Sequence, residues 1–263
     1  MKGLFVTGTD TDIGKTALSA LLLAELRRRN INAAPMKPAQ TGCVKLETGN
    51  RKLEEKQEPG FPVSSFQFQD SLSVPDLDYS LSMASMTVSE DSYSNMSPYT
   101  FEPACSPHLA AELAGTEIDI SEMVIAARTL AAEYEFIIAE GAGGIMVPLN
   151  RRETMLDLMQ AMKLPILLAA RPGLGTINHT LLSIRALRSD GLDIVGVVFL
   201  ASTPNEPDLI EEDNRATIEQ FGKVPILGTI PYCATLQSPK PDYSTLPIPV
   251  VAEIEKIVTQ LGI

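Results

Sequence analysis

The chain is poor in the residues that build metal centres and disulfide frameworks. It has two histidines, His108 and His179, and three cysteines, Cys43, Cys105 and Cys233, among 263 residues. The cysteines are far apart, odd in number and form no Cys-x-x-Cys pair. A disulfide scaffold or structural zinc site is therefore not expected, and a reducing compartment suits them. Two histidines are too few for a histidine-rich metal site. Basic charge is also short: 21 Lys and Arg face 33 Asp and Glu, for a formal net charge of −12. Binding a nucleic-acid backbone needs a basic face, so no nucleic acid is expected as partner. No uninterrupted apolar run approaches the roughly 20 residues of a membrane helix. The opening "GLFV" is too short for the core of a signal peptide. These absences predict a cytoplasmic protein with no membrane partner.

What is present is an apolar content of 44%, enough to bury a sizeable core. "GLFVTG" reads as a buried strand closed by a glycine turn, and "KTALSALLLAELRRRN" as a helix with arginines in its last turn, where they suit the dipole. "INAAPMKP" is a second strand. Later "EFIIAEGAGG", "LPILLAARPG", "LDIVGVVFL" and "VPILGTIP" read as strands, separated by the helical "ETMLDLMQAMK", "TINHTLLSIRALRSDG" and "PDLIEEDNRATIEQFG". Apolar strands alternating with helices predict a parallel sheet covered by helices on both faces, an α/β fold. From about Val44 to Asn95 this rhythm breaks into a charged and then Ser-, Gln- and Met-rich stretch. Strands of the same sheet lie on both sides of it. The chain is therefore expected to be a single domain over 1–263 with a flexible insertion at about 45–75.

The stretch "VTGTDTDIGKT" carries the chemistry. A strand, a glycine turn and a helix opening on Gly14, Lys15 and Thr16 are the setting of a phosphate-binding P-loop. Lys15 would reach the β- and γ-phosphates and the Thr16 hydroxyl would meet Mg²⁺. The spacing departs from the standard pattern, since five residues rather than four separate Gly8 from Gly14. The extra residue gives the loop room to present Thr11 and Asp12 to a substrate as well as backbone N–H groups to phosphate. Lys37, in "MKPAQTG", falls at a strand end, where the carboxyl edge of a parallel sheet binds ligands. Pro38 stops a helix from forming there. Glu140 closes "FIIAE" before a glycine turn, a position suited to a hard-oxygen ligand for Mg²⁺.

Taken in order, these segments resemble the dethiobiotin synthetases. The P-loop is similar to that family's GTDTxxGKT. "MKPAQTG" resembles its KPxxTG segment, "SPYTFEPACSPHLAA" its PYxF…SPHxAA stretch, and "AEGAGGIMVPL" its EGAGG box. "LGTINHTLL" and "LGTIPY" resemble two later family motifs, so the resemblance spans nearly the whole chain except 45–75. It implies a P-loop NTPase-type fold. It also implies a ligase that uses 7,8-diaminopelargonic acid, CO2 and MgATP to close the ureido ring of dethiobiotin, late in biotin biosynthesis.

The resemblance implies roles as well. Lys37, Lys15 and Thr11 would be catalytic, with Lys37 binding the carbamate. Asp12, Ile13, Gly14, Lys15, Thr16 and Ala17 would hold ATP. Thr41 and Ser106 would lie near the substrate. Gly175, Thr176 and Asn178 would receive its far carboxylate, largely across the interface of a homodimer. Mg²⁺ would be held by Thr16, Glu140 and an Asp after the Lys37 segment. "VPDLDYSLS" offers Asp76 and Asp78, of which Asp78 aligns better, with a one-residue gap. Read without the resemblance, Ser106 is a helix N-cap and Asn178 a capping or surface residue.

Two features depart from the family. Leu200 and Ala201 in "VVFLASTP" stand where many members carry an Asn-Asp pair whose Asn reads adenine, which puts the preference for ATP in question. The insertion before Asp78 is the other, either a passive loop or a lid. One rival reading is a nucleotide-switched ATPase of the partition and division-site kind. That class carries an extra lysine five residues before the main one, and here the position is Asp10. A second rival is a relative of the P-loop domain of cobyrinic acid amide synthases or phosphotransacetylases, which would lack the "MKPAQTG" and "SPHLAA" pairing.

Overall fold

The computed structural model describes residues 1–45, 72–204 and 208–263. Strand β1 (Gly3–Gly8) leads into α1 (Lys15–Arg28), then β2 (Ala33–Met36) and the short β3 (Ala39–Thr41) and β4 (Val44–Lys45). After β5 (Leu72–Ser73) come α2 (Pro75–Met83), α3 (Glu90–Met96), β6 (Tyr99–Phe101), α4 (Pro107–Leu113) and α5 (Ile120–Glu133). The second half alternates: β7 (Phe136–Glu140), α6 (Met155–Met162), β8 (Ile166–Ala170), α7 (Thr176–Ser189), β9 (Ile194–Leu200), α8 (Leu209–Gly222) and β10 (Ile226–Ile230). Helix α9 (Ile248–Gln260) closes the chain.

Six of these strands form one parallel sheet in the order β10-β9-β8-β1-β7-β2. The sheet makes this a single α/β domain. Strand β7 lies on one side of β1 and the next strand of the sheet, β8, on the other. The strand order thus reverses at β1, and a crevice opens at its carboxyl end. The residues of β1 divide between the two faces although all are buried. Leu4 and Val6 join the core formed with Leu18, Leu22, Val250 and Ile254 of α1 and α9. Phe5 joins Met123, Ala127 and Leu158 of α5 and α6. This period-two division on a fully covered sheet explains why the strand is apolar throughout.

Helix α1 is apolar nearly all round. Leu18, Leu21, Leu22, Leu23 and Leu26 have no solvent exposure, because α2 and α9 cover what the sheet does not. Each such leucine stabilises the fold by about 1.5–3 kcal/mol. Glu25 is buried with them. Its carboxylate accepts from Arg28 Nε (2.9 Å), Arg29 Nε (2.7 Å) and the Tyr243 hydroxyl (2.9 Å). Burial alone would raise its pKa, but these donors hold it below the usual range. Arg29 also donates to the carbonyls of Glu255 and Ile263, tying α1 to the end of α9.

The stretch that breaks the strand–helix rhythm holds two helices, α2 and α3. Leu77, Leu81 and Met83 turn the apolar side of α2 inward, and Met96 does so for α3. Of the expected flexible insertion, 46–71 lies outside the described residues. Its flanks pair as antiparallel β4 and β5, Val44 opposite Ser73 and Lys45 opposite Leu72. Of the remaining residues of that range, Lys45 lies in β4, Leu72 and Ser73 form β5, and Pro75 begins α2.

Candidate active site

The P-loop leaves β1 at Gly8 and enters α1 at Lys15. Gly8 has no room for a side chain: a Cβ there would meet Ile13 Cδ1 at 2.3 Å and Lys15 Cδ at 3.0 Å. Gly14, at φ 93°, turns the chain into the helix in the left-handed region, and Leu200 lies against it. The extra residue of the loop is accommodated by a second left-handed position, Asp12 at φ 54°. Asp is among the few side chains that tolerate this conformation. Thr11 and Asp12 are consequently exposed, while Ile13 is tucked beneath the loop. Thr11 Oγ1 faces the glycine turn after β7, 3.5 Å from where a Cβ on Gly143 would stand.

Lys15 is 6% exposed and donates to the Asp10 carbonyl at 2.7 Å, arching over its own loop. Burial, and then the nearby Lys37 charge, push its pKa down to about 8. Its neighbour Thr16 donates its hydroxyl to Glu140 Oε1 at 2.8 Å. The same carboxylate oxygen accepts from Lys37 Nζ at 2.7 Å. Lys37 also pairs with Asp76 Oδ2 at 2.7 Å and donates to the Gly141 carbonyl at 3.3 Å. Burial opposes the charge on Lys37, but Glu140 and Asp76 outweigh it and hold the ammonium above the usual lysine range. The backbone of Lys37 is fixed as well: its N–H donates to the Met96 carbonyl, and its own carbonyl accepts from the Ser97 hydroxyl at 2.9 Å.

The two acids of α2 have different partners. Asp78 is committed elsewhere, accepting from Ser73 Oγ at 2.5 Å and from the Tyr93 hydroxyl at 2.7 Å. The carboxylate that reaches Lys37 is Asp76, two residues earlier. Pro75 sets the first turn of the helix and so decides which acid faces inward.

The other anticipated residues divide. Ala17, Thr41 and Ser106 line the cleft with the P-loop, Lys37 and Glu140. Ser106 occupies the N-cap position of α4, but its side chain makes no capping hydrogen bond. Gly175, Thr176 and Asn178 do not line the cleft of their own chain. Gly175 and Asn178 are exposed, and the Thr176 hydroxyl is buried against that of Thr180 at 3.1 Å. Sequence reading missed Ser97, Tyr93 and Arg171. The first two have no local signature, since their partners lie far away in the chain. Arg171 had one, the position just past a strand end that singled out Lys37.

The cleft is about 2710 Å³. A single-ligand pocket is about 300–1,000 Å³, so there is room here for a nucleotide and a second substrate together. Beyond the P-loop its wall is mixed, with an apolar stretch formed by Leu200, Ile230, Pro231 and Leu236.

A parallel α/β sheet, a P-loop at its switch point, and two buried lysines among carboxylates define a P-loop nucleotide-dependent enzyme. Comparisons with known proteins narrow this. The AAA-domain family matches residues 2–240. An ATP-dependent dethiobiotin synthetase BioD of Lysinibacillus sphaericus (strain C3-41) is 35% identical over 227 residues, 86% of this chain and 85% of that protein. The BioD of Anaeromyxobacter dehalogenans (strain 2CP-C) is 38% identical over 233 residues, 88% and 91% of the two chains. The chain belongs to the ATP-dependent dethiobiotin synthetase family. Among solved structures, the Aquifex aeolicus MinC:MinD cell division complex aligns with a TM-score of 0.59 at 14% identity, covering 100% of this chain and 97% of that one. A ParA family ATPase from Chlorobium tepidum TLS aligns at 0.56, also at 14% identity and covering 100% of both chains. At that identity the likeness is one of fold alone.

Proposed function

We propose that this chain closes the ureido ring of dethiobiotin from 7,8-diaminopelargonate, CO2 and ATP. The observation that carries the reading is Lys37, held between Glu140 and Asp76 and opening onto the same cleft as Lys15 and Thr16. One amine of the diamine adds to CO2 and loses a proton, giving a carbamate. A carbamate oxygen attacks the γ-phosphorus, and the bond to ADP breaks. The second amine then attacks the carbonyl carbon of the carbamic-phosphoric anhydride, expelling phosphate and closing the cyclic urea.

Little covalent work falls to the protein in this scheme; it brings two anions together and neutralises them. Lys15 and the first N–H groups of α1 bind the phosphates. Lys37 receives the carbamate. The hydroxyl of Thr11 lies at the mouth between the P-loop and the glycine turn, where it orients the reacting group. Thr41 and Ser106 face the same space.

The oxygen set Thr16, Glu140 and Asp76 fits Mg²⁺, a hard ion that takes one or two carboxylates and completes its shell with water and phosphate oxygens. When bound, it supplies charge neutralisation on the phosphates. Gly175, Thr176 and Asn178, turned away from their own cleft, suit contact with the substrate of a partner subunit. A homodimer follows on that reading, in a cytoplasmic setting. Among the described residues no helix is long and apolar enough to cross a membrane.

The test is the product. Incubation with the diamine, MgATP and ¹³C-bicarbonate yields dethiobiotin carrying the label in its ureido carbonyl. Absence of labelled product from a folded, ATP-binding preparation overturns the reading.

A further inference from the structure

Arg171 has no part in the mechanism above, yet its setting is specific. It follows β8, the neighbour of β1 in the sheet. Gly8 pairs with Ala169, and the Thr9 N–H donates to the Ala169 carbonyl at 3.1 Å. Arg171 thus leaves the sheet beside the front half of the phosphate loop. It is exposed, and it lines the cleft with Thr11, Asp12 and Lys15. Among the described residues its side chain has no ion pair or hydrogen bond. Arg28, Arg29, Arg151, Arg152 and Arg215 have carboxylate partners, whereas Arg171, like the exposed Arg128 and Arg185, has none among the described residues; of these three, Arg171 is the one that lines the cleft.

The loop that carries it is also clamped. Asn214 of α8, 4% exposed, donates through Nδ2 to the Pro172 carbonyl at 2.8 Å and to the Gly173 carbonyl at 3.2 Å. Pro172 fixes its own φ. A buried amide holding the two residues after an unpaired arginine is the support a positioned ligand contact needs. A guanidinium presents paired donors that match phosphate oxygens.

We infer that Arg171 contacts the β- and γ-phosphates of the bound nucleotide, as a third cation beside Lys15 and Lys37. The inference rests on the ATP-dependent reading of the site. On this account Arg171 stabilises charge as the γ-phosphoryl group moves to the carbamate, and Asn214 is its positioning residue.

The test is a binding series of ATP, ADP and AMP, each with wild type, Arg171→Ala and Arg171→Lys. Arg171→Ala is expected to weaken ATP by about tenfold or more, the scale of a lost charge-assisted hydrogen bond. ADP weakens less, AMP hardly at all, and Arg171→Lys recovers part of the loss. Arg171 is exposed, so its replacement leaves the fold intact, which a thermal melt checks. Equal weakening of all three nucleotides, or no weakening, overturns the proposal. A rise confined to the KM for the diamine also overturns it, because the partner would then be the substrate carboxylate. Labelled-product formation by the wild type is read separately. If it fails, the synthetase reading falls while the nucleotide series still judges Arg171. If it succeeds with an unchanged series, only Arg171 is wrong.

Discussion

Lys37 and Glu140, 103 residues apart in the chain, meet at 2.7 Å with both side chains almost fully buried. One carboxylate oxygen accepts from both Lys37 and Thr16, and Asp76 supplies a second negative charge to Lys37. Four residues from the ends of two strands and the starts of two helices are joined here into one charge cluster. Removing one partner of a buried ion pair leaves the other uncompensated, which costs more than the pair contributes.

Replacing Lys37 with Met therefore has two expected effects. Turnover falls by about 10²-fold or more, the scale of losing an electrostatic contact to the reacting centre. Stability falls by about 3–5 kcal/mol as Glu140 and Asp76 lose their cation. Added Mg²⁺ is expected to recover more of the melting temperature in Lys37→Met than in wild type if, as proposed, it binds the same carboxylates. Thermal melts with and without Mg²⁺ check this. Equal Mg²⁺ responses would contradict it.

The two acids of α2 separate cleanly. Asp76→Asn is expected to raise the Mg²⁺ concentration needed for half-maximal activity. Asp78→Asn weakens its bonds to Ser73 and Tyr93 and is expected to cost about 1–3 kcal/mol of stability, with the Mg²⁺ requirement unchanged. Activity titrations with Mg²⁺ beside urea melts distinguish them. A shifted Mg²⁺ requirement in Asp78→Asn and not in Asp76→Asn would restore the choice made from the sequence.

Thr11 tests the purpose of the enlarged loop. Its hydroxyl faces Gly143 at the mouth of the cleft, and its N–H is held by the Asp10 carboxylate at 2.7 Å. Thr11→Val preserves shape and loses the hydroxyl. Turnover is expected to slow by about tenfold, the scale of one hydrogen bond to a charged group, with ATP affinity nearly unchanged. Equal losses in both would place Thr11 on the nucleotide alone.

Most of this site could be read locally. Lys15, Thr16, Lys37 and Glu140 all sit where a short apolar run gives way to a glycine or proline turn, and that grammar identifies a strand end on the active edge. Asp76 could not be chosen that way. Asp76 and Asp78 share a helix, and only the placement of α2 against Lys37 decides between them. The helices α2 and α3 were hidden because a Ser-rich composition resembles a loop until Leu77, Leu81 and Met96 find the core. Nothing local marks Glu25 as buried, because its partner Tyr243 lies 218 residues away.

That glutamate sets an acid limit on stability. Its folded pKa is lowered by Arg28, Arg29 and Tyr243 against the opposing effect of burial. The stabilisation is fully present above the unfolded value of 4.5 and is lost as pH falls through the lower folded value. Glu25→Gln is expected to be less stable than wild type at pH 6, by about 1–3 kcal/mol for the lost charge-assisted bonds. The gap narrows below pH 4.5 as wild-type Glu25 takes up a proton. Urea denaturation of both proteins across that range measures it. A gap that stays constant into acid would show that the carboxylate charge is not the source.

The most direct test of the central claim is phosphate release from MgATP in the presence of the diamine and bicarbonate, with each omitted in turn. The account predicts release that needs all three and is lost in Lys37→Ala. Release that proceeds without diamine or bicarbonate, or that survives in Lys37→Ala, would contradict it.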